Sequence, residues 1–171
     1  KELPDEEYPF VLNTGRLLEH WHTGTMTRRS RALHAIAPVP EVDMHSSDLK
    51  MLGLADGDRV TVSSRRGAIT LTARRSDRMI PGSVFIPFHF REAAANVLTI
   101  DELDPYAELL GEVSCISKRD GKLRGHAMDP ITGGLALEAF VPRGHWQRTG
   151  GDVCLLGAGG SSLALTTYLM Q

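Results

Sequence analysis

Residues 14–30 read TGRLLEHWHTGTMTRRS and directly follow an apolar run, YPFVLN, at 8–13. The apolar run predicts a strand that ends at Thr14 and Gly15. The polar stretch after it, punctuated by glycines, predicts a loop. The sequence therefore places a loop rich in glycine, threonine, arginine and histidine at the end of a strand.

The composition of this loop suits the pyrophosphate of a nucleotide. Gly15 and Gly24 allow backbone N–H groups to approach an anion closely. Arginine adds charge-assisted contacts, and Trp21 offers either a stacking surface or a core anchor. The polar candidates for such contacts are Thr14, Arg16, His20, His22, Thr23, Thr25, Thr27, Arg28 and Arg29.

Two other interpretations of the loop stay open at this point. A loop rich in threonine and arginine is often a solvated surface without a ligand. His20 and His22 could also form a metal pair with His34 or His45, although no neighbouring cysteine or acidic cluster completes such a site.

The residues after this loop predict a short strand and a short helix. A strand is expected at 42–44, followed by a helix over 48–52. Ser46 or Ser47 would cap the helix N-terminus, and Gly53 would close the C-terminus.

Residues 57–77, GDRVTVSSRRGAITLTARRSD, predict a hairpin. Alternation puts Val60 and Val62 on one face and Ile69, Leu71 and Ala73 on one face of the partner strand. A positive φ is expected at Gly67 in the turn. Beyond the hairpin we predict a turn at 81–82, a strand at 84–88 and a helical turn or loop at 91–97. The first ~105 residues thus show the short, closely spaced strands of a barrel or sandwich.

The pattern changes near residue 110. Residues 113–128 predict two strands around an Asp-Gly turn at 120–121, and 129–141 begin as a loop and become helical. Residues 152–170, DVCLLGAGGSSLALTTYLM, predict a buried strand, a glycine turn and a helix. Such a unit is typical of parallel α/β folds.

The loop and the segments after it resemble the C-terminal molybdopterin-dinucleotide-binding domain of formate dehydrogenase alpha subunits, in the dimethyl sulfoxide reductase superfamily. The resemblance runs through GLADGDRVTVSSRRG at 53–67, VFIPFHFREAAANVLT at 84–99 and DELDPYAEL at 101–109. It covers residues 1 to about 110. The PFHF segment is nearer to formate dehydrogenases than to periplasmic nitrate reductases.

This resemblance implies a mainly β fold, a double-psi β-barrel of the aspartate-decarboxylase-like kind. It implies a molybdopterin guanine dinucleotide cofactor with molybdenum or tungsten, and no catalytic residue in this chain. The residues implied to bind the cofactor are Thr14, Gly15, Arg16, His20, Trp21, His22, Thr23, Gly24, Phe88 and Asn96. The implied partners are the remaining domains of the parent catalytic subunit and iron–sulfur or diaphorase subunits, in the cytoplasm.

The family pattern is broken after DPYA. Glu108 stands where the family commonly has lysine, and Val113 falls near the position of a cofactor-binding lysine. We therefore expect that the strand VSCIS, at 113–117, could complete the barrel in place of the family's last strand.

Residues from Gly111 onward resemble a different family, the shikimate dehydrogenases. Asp129 matches an aspartate near that family's substrate site, and GAGGSS at 157–162 resembles its cofactor turn. Gly157, Gly159 and Gly160 could thus form a partial NAD(P) site, with Ser162 at the third small position. The sequence ends before the acidic residue that reads the ribose, so NAD(P) binding is doubtful.

We accordingly expect two domains, a molybdopterin-dinucleotide-binding barrel at 1–110 and a partial, Rossmann-type shikimate dehydrogenase-like segment at 111–171. The alternatives are a fragment of an NAD(P)-dependent oxidoreductase and a chimeric domain without a ligand. The seam would lie near residues 109–111.

Composition excludes several other classes. The formal net charge is −2, so no basic field points to nucleic acid. No apolar run reaches the ~20 residues of a membrane span, and the acidic first ten residues do not resemble a secretion signal. A start at Lys1 suggests a chain cut from something longer. Cys115 and Cys154 are expected to be reduced thiols.

Overall fold

The structure, a computed structural model, describes residues 3–170. The chain divides into two compact units between Thr99 and Ile100. We call them the first unit and the second unit and describe each by itself.

The first unit is built on one five-stranded mixed sheet. Its strands are β1 (Val11–Gly15), β2 (Glu41–Met44), β3 (Arg59–Ser63), β4 (Ala68–Arg75) and β5 (Ser83–Pro87). Their order across the sheet is β1-β5-β2-β4-β3. The pairs β1/β5 and β2/β4 are parallel, and the pairs β2/β5 and β3/β4 are antiparallel. Each of these strands was predicted from the sequence.

The β3/β4 hairpin supplies much of the core. Val60 pairs with Leu71 and Val62 pairs with Ile69, which is the predicted alternation. Leu71 and Ala73 are buried, while the two valines pack at the margin of the core. Each fully buried aliphatic side chain stabilises the unit by about 1.5–3 kcal/mol.

The prediction of a positive φ at Gly67 is wrong. This glycine does not adopt the left-handed conformation. Instead, a Cβ on Gly67 would lie 2.9 Å from the carbonyl oxygen of Val97. The position needs glycine because the hairpin turn packs closely against the 3-10 turn Ala95–Leu98, where Ser64 Oγ also donates to the Leu98 carbonyl.

Two short helices flank the strands of this unit, α1 (Arg31–Ile36) and α2 (Ser46–Met51). The predicted serine N-cap of α2 is wrong by one residue. His45 is the cap, and its side chain accepts a hydrogen bond from Ser47 N. Gly53 closes the helix in a left-handed conformation with φ +68°, as predicted. The segment 91–98 forms 3-10 turns, Arg91–Ala93 and Ala95–Leu98.

The sheet is not a closed barrel within residues 3–170, because β1 and β3 each pair on one side only. The expectation that VSCIS would complete it is wrong. Residues Cys115–Arg119 instead form β7, which pairs with β8 (Lys122–His126) in the second unit. This strand pairs with the next strand in the chain across a two-residue turn. It therefore does not pair with a strand of the five-stranded sheet.

The second unit contains a three-stranded sheet and four helices. Its strands are ordered β6-β8-β7, with β6 at Glu102–Leu103. Asp120 and Gly121 both have positive φ, so the predicted Asp-Gly turn is confirmed. The helices are α3 (Pro105–Leu110), α4 (Asp129–Glu138), α5 (His145–Thr149) and α6 (Gly160–Leu169).

Helices α4 and α6 pack against each other at a glycine. A Cβ on Gly134 would lie 2.4 Å from ring atoms of Tyr168. The Tyr168 hydroxyl donates to Glu138 at 2.6 Å, and Arg143 forms an ion pair with the same carboxylate. Helix α4 begins at Asp129, so the expected initial loop is absent from this segment.

The strand expected at 152–156 is not formed. The helix that should follow it does form, as α6. A buried parallel strand needs hydrogen-bonding neighbours on its sheet, and none of the described strands pairs with 152–156. Of the strand, glycine turn and helix expected here, only the turn and the helix are present in the described residues.

Two remaining features are the length of the helices and the state of the cysteines. Within residues 3–170, no helix is both long and apolar enough to cross a membrane. Cys115 and Cys154 are free and exposed.

Candidate functional site

The predicted loop starts where two parallel strands end together. Gly15 is the last residue of β1 and pairs with Pro87 at the end of β5. Its carbonyl accepts a hydrogen bond from Phe88 N at 3.2 Å. A Cβ on Gly15 would lie 2.8 Å from Phe85 Cε2, so only glycine fits without a shift of that ring. Strand pairing thus fixes the base of the loop.

His20 anchors the middle of the loop to the protein interior. The ring is 2% exposed, with Nδ1 3.1 Å from Thr27 Oγ1 and Nε2 3.2 Å from the Ala37 carbonyl. Thr27 Oγ1 also accepts from Trp21 N at 3.1 Å. Both nitrogens of His20 are engaged in these bonds. Among residues 3–170, no group of three His, Cys, Asp or Glu side chains is placed to hold a metal, so the interpretation of His20 and His22 as a metal pair gains no support.

Three side chains of the loop cluster at its surface. Arg16 Nη2 lies 3.3 Å from His22 Nδ1, and the guanidinium carbon of Arg16 lies 5.9 Å from the centre of the Trp21 ring. The Trp21 and His22 rings meet edge to face at 5.0 Å. Trp21 is 61% exposed, which leaves its indole as a surface for stacking rather than a core anchor.

The second glycine of the loop is required by backbone conformation and by space. Gly24 has φ +72°, and a Cβ there would lie 2.9 Å from Arg28 Cγ and Cδ. Thr23 Oγ1 lies 3.0 Å from Thr25 Oγ1 on either side of Gly24. The loop therefore returns sharply toward the 3-10 turn Thr27–Arg29.

The sequence did not predict which residues outside the loop contact it and hold it in place. The rings of His89 and Phe90 lie against each other, tilted by 40° with centres 3.9 Å apart, and the His89 ring centre lies 4.4 Å from that of His20. Arg28 lies 5.0 Å over the Phe90 ring and makes two hydrogen bonds to Glu92. The only available signal was the position of these residues beside Phe88, in PFHFRE at 87–92.

The structure brings most candidates of the loop together and leaves three other candidates apart from that cluster. Phe88 packs against the hydrophobic core of the first unit. Asn96 is exposed in the 3-10 turn Ala95–Leu98. Thr14 is exposed on β1, opposite Ile86. Their predicted contacts with a cofactor stay predictions.

The glycine turn of the second unit has a different character. Gly157 has φ +124°, and Gly159 precedes α6 as its N-cap. The Glu112 carboxylate lies 3.9 Å from where a Cβ of Gly160 would stand. Burial, the charge of Asp129 and a hydrogen bond with it raise the pKa of Glu112. The acidic pair opposes a phosphate at this helix terminus.

Comparisons with known proteins place the loop within a known family. Residues 10–110 match the family model described as the Molydopterin dinucleotide binding domain. The chain is 48% identical over 108 residues to the F420-dependent formate dehydrogenase subunit alpha of Methanocaldococcus jannaschii, covering 63% of this chain and 16% of that protein. It is 41% identical over 119 residues to F420-dependent formate dehydrogenase 1 subunit alpha of Methanococcus maripaludis, covering 68% and 17%.

A solved structure gives a looser similarity. Acetylene hydratase from Pelobacter acetylenicus aligns at a TM-score of 0.46 and 23% identity, covering 50% of this chain and 12% of the other. The chain spans about a sixth of the length of the curated relatives it matches.

Proposed function

We propose, from the premise that the chain belongs to the molybdopterin dinucleotide-binding domain family, that the first unit binds and positions the guanine dinucleotide of a molybdopterin cofactor. The parent protein would be a formate dehydrogenase-like oxidoreductase. Catalysis would need the rest of that protein, since we assign no catalytic residue to this chain.

One observation carries the proposal: the loop at 14–24 is rich in donors and is held in a defined shape. Gly15 at the end of β1 and Gly24 at the turn keep the backbone free of side chains, and His20 anchors the loop to the interior. Arg16 is exposed at its surface. Backbone N–H groups, hydroxyls and a guanidinium are the donors that recognise a pyrophosphate.

The residues fit the cofactor chemically. Exposed Trp21 offers a flat apolar face to a purine or pterin ring, and Asn96 can both donate to and accept from a pterin edge. When bound, the cofactor supplies a molybdenum or tungsten centre for two-electron redox chemistry. The chain's own residues would hold the nucleotide end and orient the pterin.

We also propose the finer points that the family similarity implies. The mixed sheet of the first unit, with its parallel pairs β1/β5 and β2/β4, would be the core of a double-psi β-barrel. The seam with the shikimate dehydrogenase-like segment would lie near residues 109–111. The remaining domains of the parent subunit and iron–sulfur or diaphorase subunits would be the partners, in the cytoplasm.

Titration of the 171-residue chain with GDP, followed by backbone amide shifts, tests the proposal. We expect shifts at Gly15, Arg16 and Thr23. Arg16→Ala should weaken GDP binding by about 1.5–3 kcal/mol, the range for hydrogen bonds to charged groups. Arg59→Ala is the matched control, because Arg59 is exposed at the start of β3, at the opposite edge of the sheet from β1.

NADP separates the alternatives in the same experiment. Shifts at Gly157–Gly160 with NADP, and none with GDP, would favour the NAD(P)-dependent oxidoreductase fragment. No shift with either nucleotide would favour a chimeric domain without a ligand. An unchanged GDP affinity in Arg16→Ala would remove Arg16 from the site.

A further inference from the structure

His89 is buried without the hydrogen bonds that a buried imidazole needs. The residue is 3% exposed, and in the described part of the chain neither Nδ1 nor Nε2 has a hydrogen-bond partner. Buried polar groups in folded proteins are nearly always satisfied by protein, water or ligand. Two unsatisfied nitrogens on one ring therefore point to a partner that residues 3–170 do not supply.

The position of His89 connects it to the dinucleotide loop. Its ring lies against the rings of His20 and Phe90, with ring centres 4.4 and 3.9 Å away and the ring planes tilted by 37° and 40°. Gly24 lies directly against it, since a Cβ on Gly24 would be 3.4 Å from His89 Cδ2. The same Cβ would lie 2.9 Å from Arg28 Cγ and Cδ, and among the described residues the buried Arg28 Nε also has no hydrogen-bond partner. The unsatisfied donors thus gather beneath the glycine at which the loop turns.

Burial first, and neighbouring charges second, keep the His89 ring neutral near pH 7. Burial, His20 and Arg28 lower the pKa of His89 to about 4, against opposing effects of Glu92 and Glu19. A neutral imidazole carries one N–H donor and one acceptor nitrogen. The Arg28 guanidinium nearby is paired with Glu92, so the preference for an anionic oxygen rests on the His89 N–H and the buried Arg28 Nε, which are both donors.

We propose that His89 is a further binding residue for the dinucleotide, whose ring N–H donates a hydrogen bond to a phosphate oxygen when the loop shifts at Gly24 to admit it. This inference rests on the proposed function of the loop. If His89 served packing alone, an apolar ring would be the more stable choice at this position. Phenylalanine would fill a similar volume without leaving two polar atoms unsatisfied.

The substitution His89→Phe therefore separates binding from packing. In the free 171-residue chain, we expect its melting temperature to stay equal to that of the wild type or to rise. We expect the affinities for pyrophosphate and GDP to fall about tenfold or more, as for loss of a hydrogen bond to a charged group. Guanosine, which has no phosphate, should bind both proteins equally.

Two further variants sharpen this result. His89→Gln keeps an N–H donor and should restore most of the pyrophosphate affinity. His34→Phe is the matched control: His34 lies on α1 and also has a buried ring nitrogen without a partner. It should leave the pyrophosphate affinity unchanged.

A measurement on the wild-type chain keeps the test decisive if His89→Phe does not fold. In protein labelled with ¹⁵N-histidine, the His89 ring signals, identified by their loss in His89→Gln, should shift on addition of pyrophosphate. Absence of that shift would overturn the proposal. So would wild-type pyrophosphate affinity in a folded His89→Phe, or a lowered melting temperature with no loss of affinity.

Failure of the proposed function has a different signature. If the wild-type chain binds neither GDP nor pyrophosphate, the loop is no dinucleotide site and both proposals fall. If the wild type binds both and His89→Phe binds them equally well, only the role of His89 is wrong.

Discussion

The loop at 14–24 and the turn at 157–160 both have sequences typical of anion binding, yet their surroundings differ. The loop is fixed at its base by paired strands and in its middle by buried His20. The turn has no strand before it, and Glu112 approaches it. A glycine-rich sequence becomes a binding site only when the structure around it fixes its donors and leaves room for negative charge.

The largest expected effect concerns what holds the turn in place. A Cβ at Gly134 would collide with Tyr168, where α4 packs on α6. Gly134→Ala should lower the free energy of unfolding of the second unit by about 2 kcal/mol, within the range for overpacked sites. Hydrogen exchange of the α4 and α6 amides measures this change.

Gly133→Ala is the matched control, because nothing lies within 4 Å of a Cβ there. In α4 it should stabilise the unit by about 0.5–1 kcal/mol, since alanine favours helix over glycine. GDP binding by the first unit should be unchanged in both variants. Loss of GDP binding in Gly134→Ala would show that the loop depends on the packing of the second unit.

The second prediction replaces one glycine of the loop and one glycine of the turn with alanine. Gly15→Ala forces the Phe85 ring or the loop base to move and should weaken GDP binding about tenfold, in line with overpacking costs of about 1–3 kcal/mol. Gly159→Ala meets open space at an ordinary φ and should change neither folding nor GDP binding. Isothermal titration measures the GDP affinity of both variants. Equal affinities would show that GDP binding does not need glycine at position 15.

The smallest expected effect concerns the acid beside the turn. Burial and Asp129 raise the pKa of Glu112 in the folded chain, so the fold favours its protonated form. The second unit should therefore lose stability as pH rises from the ordinary carboxyl pKa through the raised one. Glu112→Gln should flatten this dependence, measured as unfolding free energy between about pH 4 and 7. An identical pH profile in both proteins would contradict the assigned cause.

The sequence predicted the strands of the first unit because their apolar residues alternate. Val60 and Val62 opposite Leu71 and Ile69 show how directly that periodicity becomes a buried face. The loop after β1 was predicted for the same reason: its polar composition interrupts an apolar run. These signals are local in the chain.

The errors occurred where distant residues decide the outcome. Gly67 was explained by φ, but Val97, thirty residues later, sets the requirement. The strand at 152–156 had the right composition and lacked partners. His89 carried no motif, because its importance arises from contacts with His20 and Gly24.

The sequence by itself determined the family, the strand pattern and the donor-rich loop, because periodicity, composition and motif spacing lie along the chain. The tertiary structure alone decided which of the two glycine sequences we propose as a site. It did so by placing buried rings beneath the loop and an acidic pair beside the turn. Burial and charge act through space. Two similar glycine-rich motifs therefore differ in their suitability for an anion, because the residues around them are distant in the sequence.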